Sequence, residues 1–266
     1  MFKGDGGAQN SGMDKHVSGF QDHFSAQAAA YARFRPNYPP ELYEFLAGLT
    51  PVRALAWDCG TGNGQAAVGL AAHFRRVIAS DASHEQVAEA RPHARVTYYV
   101  AAAEHPPEVA QGADLVTVAQ ALHWFDHARF YAQLRRVLRP GGVFAAWGYG
   151  LMQITPAVDV VVQDYYARVV GPYWPADRRH VENAYRSLPF PPGEIAVPAF
   201  SMRADWSLDA LLGYLDTWSA TRRYLKDRGE HALGRVQTAL ARAWEAAETR
   251  RVTWPLFMRA SRFGGL

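Results

Sequence analysis

Apolar runs and helical patterns alternate along the middle of the chain. Five short runs rich in valine, alanine, isoleucine or aromatic residues end at glycine or polar turns, and they span residues 54–59, 76–80, 96–100, 114–118 and 143–147. Helical spacing of apolar positions separates them at 65–74, 85–90 and 128–138. This alternation predicts an α/β fold with a doubly wound, mostly parallel sheet, because each right-handed crossover places its helix on a face of the sheet.

The two ends of the chain depart from this alternation. Residues 1–20 predict a disordered tail, and helical patterns within residues 21–50 predict an N-terminal helical lid before the core at 51–150. Residues 151–266 predict a helical cap inserted after strand five, together with the last two strands of the same sheet. Within that part we expect helices at 156–170, 208–221 and 230–249, and strands at 195–206 and 251–262. The sheet is thus expected to have seven strands.

Composition narrows the class of protein. Hydrophobic residues make up 49% of the 266 residues and charged residues 20%, which fits a globular chain. The single cysteine, Cys59, excludes an internal disulfide and a cysteine-based zinc site, so a cytoplasmic location is expected. A net charge of +3 is too small to indicate nucleic acid, and residues 141–162 contain Pro156 and Asp159, so no membrane span is expected. The histidines other than His123 show no pair at metal-ligand spacing, so we predict no metal.

The strongest chemical signal follows the first strand, where Asp58 precedes Gly60, Gly62 and Gly64. Glycines let the backbone approach a ligand closely and adopt positive φ, and the next helix offers unpaired N–H groups to a carboxylate-bearing ligand. Asp81 ends the second strand, where a carboxylate can accept hydrogen bonds from ribose hydroxyls. A tight turn and a helix cap are the simpler interpretations of these two features.

The glycine spacing separates two kinds of nucleoside-containing cofactor. Dinucleotide-binding proteins need G-x-G-x-x-G, whereas this loop contains G-x-G-x-G after an acidic residue. A nicotinamide-dependent oxidoreductase is therefore an alternative that the spacing opposes. A nucleoside-binding domain without catalysis is a second alternative.

The pattern D-x-G-x-G-x-G, followed by Asp81, resembles class I S-adenosylmethionine-dependent methyltransferases from Leu55 to Trp147. Segments elsewhere resemble the trans-aconitate methyltransferase-like (methyltransferase type 11) subgroup: Arg35-Pro36-Asn37-Tyr38-Pro39, His123-Trp124-Phe125 and Thr217-Trp218-Ser219-Ala220. The resemblance implies a Rossmann-like sheet and S-adenosylmethionine as cofactor, with S-adenosylhomocysteine as product. It also implies methyl transfer to a small molecule, at the oxygen of a carboxylate or hydroxyl.

The resemblance also indicates which residues bind the cofactor. They are Asp58, Gly60, Gly62, Gly64, Asp81, Ala82, Ala103, Glu104, Gln120, Tyr31 and Arg35. Ala102 stands where the family usually has an aspartate beside the adenine, so the customary side-chain contact there is missing.

On the acceptor side, His123 is the candidate general base, although a carboxylate acceptor would need none. A hydrogen-bonded structural histidine is the alternative. Trp124, Trp218 and Arg222 are the candidate substrate residues, since a guanidinium binds carboxylate through two parallel hydrogen bonds. Cap aromatics are expected to line the same cavity or to form the core of the cap: Tyr173, Trp174, Tyr185, Trp206, Tyr214, Trp218 and Tyr224. We expect a monomer or homodimer.

Overall fold

A mixed eight-stranded sheet forms the centre of the computed structural model, which describes residues 36–264. Its strands are β1 (Leu55–Cys59), β2 (Arg76–Asp81), β3 (Val96–Val100), β4 (Ala113–Ala119), β5 (Leu138–Tyr149), β6 (Glu194–Ile195), β7 (Phe200–Trp206) and β8 (Arg250–Arg262). They lie in the order β3-β2-β1-β4-β5-β8-β6, and β7 also pairs with β8. Strands β1 to β5 are parallel, whereas β5, β6 and β7 pair with β8 in antiparallel fashion.

Helices cover the sheet and form the cap. They are α1 (Pro40–Gly48), α2 (Gln65–Leu70), α3 (His84–Ala88), α4 (His127–Val137), α5 (Pro156–Asp164), α6 (Arg178–Glu182), α7 (Leu208–Asp216), α8 (Ser219–Arg228) and α9 (Gln237–Trp244). Four of them begin at a side chain that accepts a backbone N–H of the first turn: Ser83, Asp126, Thr155 and Ser207. A wider turn, Tyr165–Val169, continues α5, because the N–H of Val170 bonds to the carbonyl of Tyr165 at 3.0 Å.

Burial of both faces explains why β1 and β4 are apolar almost throughout. Every residue of β4 except Ala119 is buried, as strands sandwiched between two helical layers require. Along β5, Val143, Ala145 and Trp147 face the core formed with α1, α2 and the cap helices, while Phe144 and Ala146 face the core formed with α4. Because successive side chains of β5 point to opposite faces of the sheet, this one strand contributes to both cores.

The structure confirms the predicted α/β, Rossmann-like, doubly wound fold, with one difference in strand number. The strand expected at 195–206 is two strands, β6 and β7, which pair with successive parts of β8 at Ala260 and Leu256. Pro198 lies between them and has no N–H to donate to a ladder. Because β6 and β7 pair with the same edge of β8, the eight strands occupy the seven expected positions of one sheet.

Other boundaries differ inside the cap. The helix expected at 208–221 is α7 and α8, separated by Trp218, whose ψ of 135° is extended. The helix expected at 230–249 is a 3₁₀ turn, Ala232–Arg235, followed by α9. The predicted tail and the first lid helix, with Tyr31 and Arg35, lie outside the described residues. The division into lid, core and cap stays a prediction.

Residues 36–264 contain no helix with the length and apolar character that a bilayer crossing requires. In the same range, no three histidine, cysteine, aspartate or glutamate side chains are grouped so that they could hold a metal ion.

Candidate active site

The glycine loop between β1 and α2 has the backbone conformation that its sequence predicts. Gly60, Gly62 and Gly64 have φ of 68°, 55° and 81°, in the left-handed region that favours glycine. A Cβ at Gly60 would lie 2.7 Å from Cβ of Ala121, and one at Gly64 would overlap the Tyr98 hydroxyl. The loop therefore packs directly against Ala121, just after β4, and against β3, which leaves no room for side chains at Gly60 and Gly64.

Asp58 lies beneath this loop and is fully buried. Its carboxylate accepts hydrogen bonds from the hydroxyls of Thr61 at 2.6 Å and Thr117 at 2.7 Å, so it links the loop to β4. Burial raises the pKa of Asp58 to about 6, and the negative charge of Asp81 adds to the rise, while the two threonine bonds oppose it. The observed contacts of Asp58 are within the protein, and its direct contact with the cofactor stays a prediction.

Asp81 joins the ends of β1 and β2. Its Oδ2 accepts the N–H of Gly62 at 2.8 Å, and its Oδ1 accepts the N–H of Ser83 at 2.9 Å. Ser83, in turn, caps α3 through Gln86. A carboxylate has about four acceptor positions, so each oxygen keeps capacity for one further donor. Asp81, with Ala82 in the same turn, thus both shapes the loop and offers acceptors to a diol.

The segment after β3 lies against this turn. The N–H of Ala101 donates to the carbonyl of Asp81 at 2.9 Å, which brings Ala103 and Glu104 to the same edge of the sheet. Ala103 is buried, and Glu104 accepts the N–H of Asp126 at 2.9 Å, just before α4. Glu104 therefore fixes the start of α4 relative to the segment after β3.

Gln120 follows β4 with a φ of 58°, unusual for a residue other than glycine. Its N–H donates to the carbonyl of Trp147 at 2.8 Å, and its side-chain amide donates to the carbonyl of Tyr149 at 3.0 Å. These bonds hold Gln120 between the ends of β4 and β5, next to Ala121, which touches the glycine loop. Strained backbone of this kind is common at ligand sites.

His123 and Trp124 stand in a 3₁₀ turn immediately after Gln120. Nδ1 of His123 lies 3.1 Å from the hydroxyl of Tyr185, and the rings of His123 and Trp124 have centroids 4.6 Å apart. Burial, together with the positive charge of Arg178, lowers the pKa of His123 to about 4. Trp124 is 57% exposed, which is high for so large an apolar side chain.

Trp218 and Arg222 make their contacts inside the cap. Trp218 is 6% exposed and packs against Tyr165, Tyr166, Trp174 and Tyr214, with ring centroids between 5.6 and 6.0 Å apart. Arg222 forms an ion pair with Asp216 at 2.7 Å. Packing and ion pairing thus account for both residues, and their contact with a substrate stays a prediction.

The structure brings most of the predicted residues to one edge of the sheet. The following residues lie at or just beyond the carboxyl ends of β1 to β4: Asp58, Gly60, Gly62, Gly64, Asp81, Ala82, Ala103, Glu104, Gln120, His123 and Trp124. Sequence reasoning missed Arg178 on α6, whose positive charge lowers the pKa of His123. No local signal distinguishes it, because the segment 171–192 also contains Arg179 and Arg186.

The fold and this strand-edge site define a class I methyltransferase. A family profile described as a methyltransferase domain matches residues 57–146. A protein of Dictyostelium discoideum that carries the name methyltransferase is 32% identical over 233 residues, covering 86% of this chain and 89% of the relative. The chain belongs to the methyltransferase family.

Two further comparisons agree with this assignment. A protein of Anaeromyxobacter dehalogenans, solved as a type II methyltransferase, is 46% identical with a TM-score of 0.80, covering 87% of this chain and 99% of that one. A methyltransferase of Mycobacterium tuberculosis is 38% identical over 120 residues, covering 45% of this chain and 49% of the relative. The protein is an S-adenosylmethionine-dependent methyltransferase, which confirms the expected enzyme class and cofactor and sets aside the nicotinamide alternative.

Proposed function

We propose that the enzyme methylates an oxygen of a small molecule, with a carboxylate as the preferred acceptor and the trans-aconitate methyltransferase-like enzymes as its subgroup. The environment of His123 carries the proposal. With a pKa near 4, its imidazole is neutral at pH 7 but too weak a base to assist much in removing a proton from a phenol or alcohol. A carboxylate is already ionised and needs no base, whereas an alcohol acceptor would need a general base other than His123.

The residues at the edge of the sheet suit S-adenosylmethionine. The three glycines with positive φ present backbone without side chains to its amino-acid end, and Asp81 has acceptor capacity for the ribose hydroxyls. Ala103 and Glu104 flank the adenine side, and Gln120 stands near the sulfonium side. Tyr31 and Arg35, from the N-terminal segment, complete the proposed cofactor site.

Positioning supplies most of the catalysis in this proposal. The cofactor brings a methyl group that is already activated by its sulfonium. The chain holds the acceptor oxygen in line with that group and excludes water, and orientation of this kind is worth on the order of 7–11 kcal/mol. Gln120, locked by its two bonds to β5, keeps the floor of the site rigid.

The remaining parts of the proposal follow from composition. A net charge of +3 gives no strong attraction for nucleic acid, so the acceptor is a small molecule. Cys59 is buried and free, which suits a reducing compartment, and we propose a cytoplasmic monomer or homodimer.

A labelled transfer assay tests the acceptor class. Protein is incubated with methyl-tritiated S-adenosylmethionine and panels of carboxylic acids, phenols, alcohols and amines. We expect transfer to acids, with products that release volatile methanol after alkaline treatment, because methyl esters hydrolyse and methyl ethers do not. Base-stable products from phenols or amines, with no transfer to acids, would contradict the carboxylate proposal and leave the methyltransferase class intact.

A further inference from the structure

The cap meets the end of β4 through two side chains that are 62 positions apart in the chain. Nδ1 of His123 lies 3.1 Å from the hydroxyl oxygen of Tyr185. Tyr185 is fully buried, and its ring packs edge-on against Phe257 with centroids 4.9 Å apart. Because Tyr185 is enclosed in this way, its hydroxyl is a fixed partner for the imidazole of His123.

The backbone around Tyr185 is strained. Ala184 and Tyr185 have φ of 52° and 58°, so two consecutive residues with side chains adopt the left-handed conformation. Arg259 holds this turn, because its Nη1 donates to the carbonyls of Tyr185 at 2.9 Å and Leu188 at 3.1 Å. Strain that the surroundings maintain at a buried position is typical of functional sites.

The direction of the hydrogen bond follows from the burial of the phenol. Burial raises the pKa of Tyr185, so the hydroxyl keeps its proton. A buried hydroxyl donates that proton to an acceptor, and among residues 36–264 the acceptor within hydrogen-bond range is Nδ1 of His123. The neutral imidazole then carries its proton on Nε2. Among residues 36–264, Nε2 has no hydrogen-bond partner, so it is a free donor beside Trp124.

Arg178 brings a positive charge to the same place. It is half-buried on α6, its Nε donates to the Tyr166 hydroxyl at 3.1 Å, and its guanidinium lies 4.8 Å from the ring centre of Trp174. The helix α6 packs against the 3₁₀ turn that carries His123, and the charge of Arg178 is the second cause of the low pKa of His123. In the described part of the chain, no carboxylate lies within 4 Å of its nitrogens.

Arg178 differs from the arginine that the sequence favours for this role. Arg222 already pairs with Asp216 at 2.7 Å, so its charge is neutralised within the cap. Within residues 36–264, the two terminal nitrogens of Arg178 have no hydrogen-bond partner, and the aromatic rings of Tyr166 and Trp174 hold its guanidinium in place. A planar guanidinium with two free N–H groups matches the two oxygens of a carboxylate.

We propose that Arg178 and the Nε2–H of His123 together bind the anionic group of the methyl acceptor, and that Tyr185 is the positioning residue that keeps His123 a donor. The inference rests on the proposed carboxylate specificity. It assigns His123 the role of a hydrogen-bond donor instead of the candidate general base.

The chemistry of the step fits donors better than a base. A lone pair of the carboxylate oxygen forms the O–CH₃ bond while the S–CH₃ bond breaks and its electron pair stays on sulfur. The carboxylate loses its negative charge and the sulfonium its positive charge, and no proton moves. The negative charge of the acceptor is largest before transfer, so Arg178 and His123 contribute mainly to acceptor binding. The neutral ester binds these two groups more weakly than the acid does.

Arginine variants on one helix test this proposal. We expect Arg178→Gln to raise the acceptor KM about 10- to 100-fold, with kcat changed less and Arg178→Lys intermediate, because a hydrogen bond to a charged group is lost. The matched control is Arg179→Gln, an exposed arginine on the same helix. The dissociation constant of S-adenosylmethionine should stay the same in all three variants. An equal acceptor KM in Arg178→Gln and Arg179→Gln would overturn the proposal.

The positioning role of Tyr185 has a spectroscopic test. In protein labelled with nitrogen-15 histidine, the His123 signals, assigned by their loss in His123→Gln, should show the proton on Nε2 at pH 7. Tyr185→Phe keeps the ring but removes the proton donor, so we expect the Nδ1–H form to appear and the acceptor KM to rise several-fold. An Nδ1–H form in the unaltered protein would overturn the assignment of His123 as donor.

An equilibrium binding measurement distinguishes two hypotheses. One is that the enzyme methylates carboxylates, and the other is that Arg178 and His123 bind an anion. Benzoate is titrated by calorimetry into the complex of the protein with S-adenosylhomocysteine, with neutral benzamide as the control. Benzoate binding that disappears in Arg178→Gln supports the anion site even if no tested acid is methylated. Absence of benzoate binding in the unaltered protein would overturn the site, whatever acceptor the methyl assay identifies.

Discussion

The cofactor half and the cap build their polar sites in different ways. At the edge of the sheet, the site is formed mostly by backbone groups. They are three glycines with positive φ, the amide of Gly62, which donates to Asp81, and the strained backbone of Gln120. At the cap, the corresponding contacts join side chains of separate elements: His123, after β4, contacts Tyr185, and Arg178 on α6 contacts Tyr166. One half is therefore determined locally by sequence, and the other by tertiary packing.

The largest effect should come from the aromatic core of the cap. Trp218→Ala removes a buried ring that contacts four others, and we expect the free energy of unfolding to fall by about 3–5 kcal/mol. Urea denaturation measures this loss, and Trp218→Phe, which keeps most ring contacts, is the control. If packing in the cap does not determine the geometry of the cofactor half, the S-adenosylmethionine affinity of the folded variant stays within a few-fold of that of the unaltered protein. A parallel loss of affinity would argue against that separation.

A pH-dependent effect is expected beneath the glycine loop. The folded pKa of Asp58 is raised from 3.8 to about 6, so the folded protein favours the protonated form. The contribution of Asp58 to the free energy of unfolding is therefore largest below about pH 4, and it falls by up to about 3 kcal/mol as the pH rises through 6.

The variant Asp58→Asn checks this by removing the titration. Relative to the unaltered protein, its free energy of unfolding should improve progressively between pH 4 and pH 7, as measured by urea denaturation at each pH. A difference between the two proteins that does not change with pH would contradict the raised pKa.

A smaller effect is expected for Asp81, the proposed acceptor of the ribose hydroxyls. Asp81→Ala should weaken S-adenosylmethionine binding by about 1.5–3 kcal/mol, the range for hydrogen bonds to a charged group. Calorimetry measures the affinity, and Asp81→Asn, which keeps an acceptor for the Gly62 amide, separates the ribose contact from loop support. Unchanged affinity in both variants would remove Asp81 from the cofactor site.

The smallest effect concerns the ion pair of the cap. Arg222 and Asp216 are 36% and 28% exposed, so solvent screens their attraction. We expect Arg222→Gln to lower the free energy of unfolding by no more than about 1 kcal/mol. A loss as large as that for Trp218→Ala would mean that charge, and not aromatic packing, holds the cap together.

How far the sequence predicts the structure follows the same division. The strand at 96–100 has the predicted boundaries, and the glycine loop and Asp81 lie where the spacing requires, because periodicity and φ preferences are local properties. The break at Trp218 and the pairing of Arg222 with Asp216 were not predicted, since both depend on packing within the cap. Arg178 was missed for the same reason. Nothing next to it in the chain indicates that it faces His123.

The wide turn at Tyr165–Val169 has an evolutionary consequence. Such a turn holds one residue more than a regular helical turn, and it absorbs that residue without changing the direction of the chain beyond it. Loss of a single residue there would therefore restore regular winding and leave the segment leading to Arg178 in place. The cap thus tolerates a change in chain length at this point while the sheet stays unaltered.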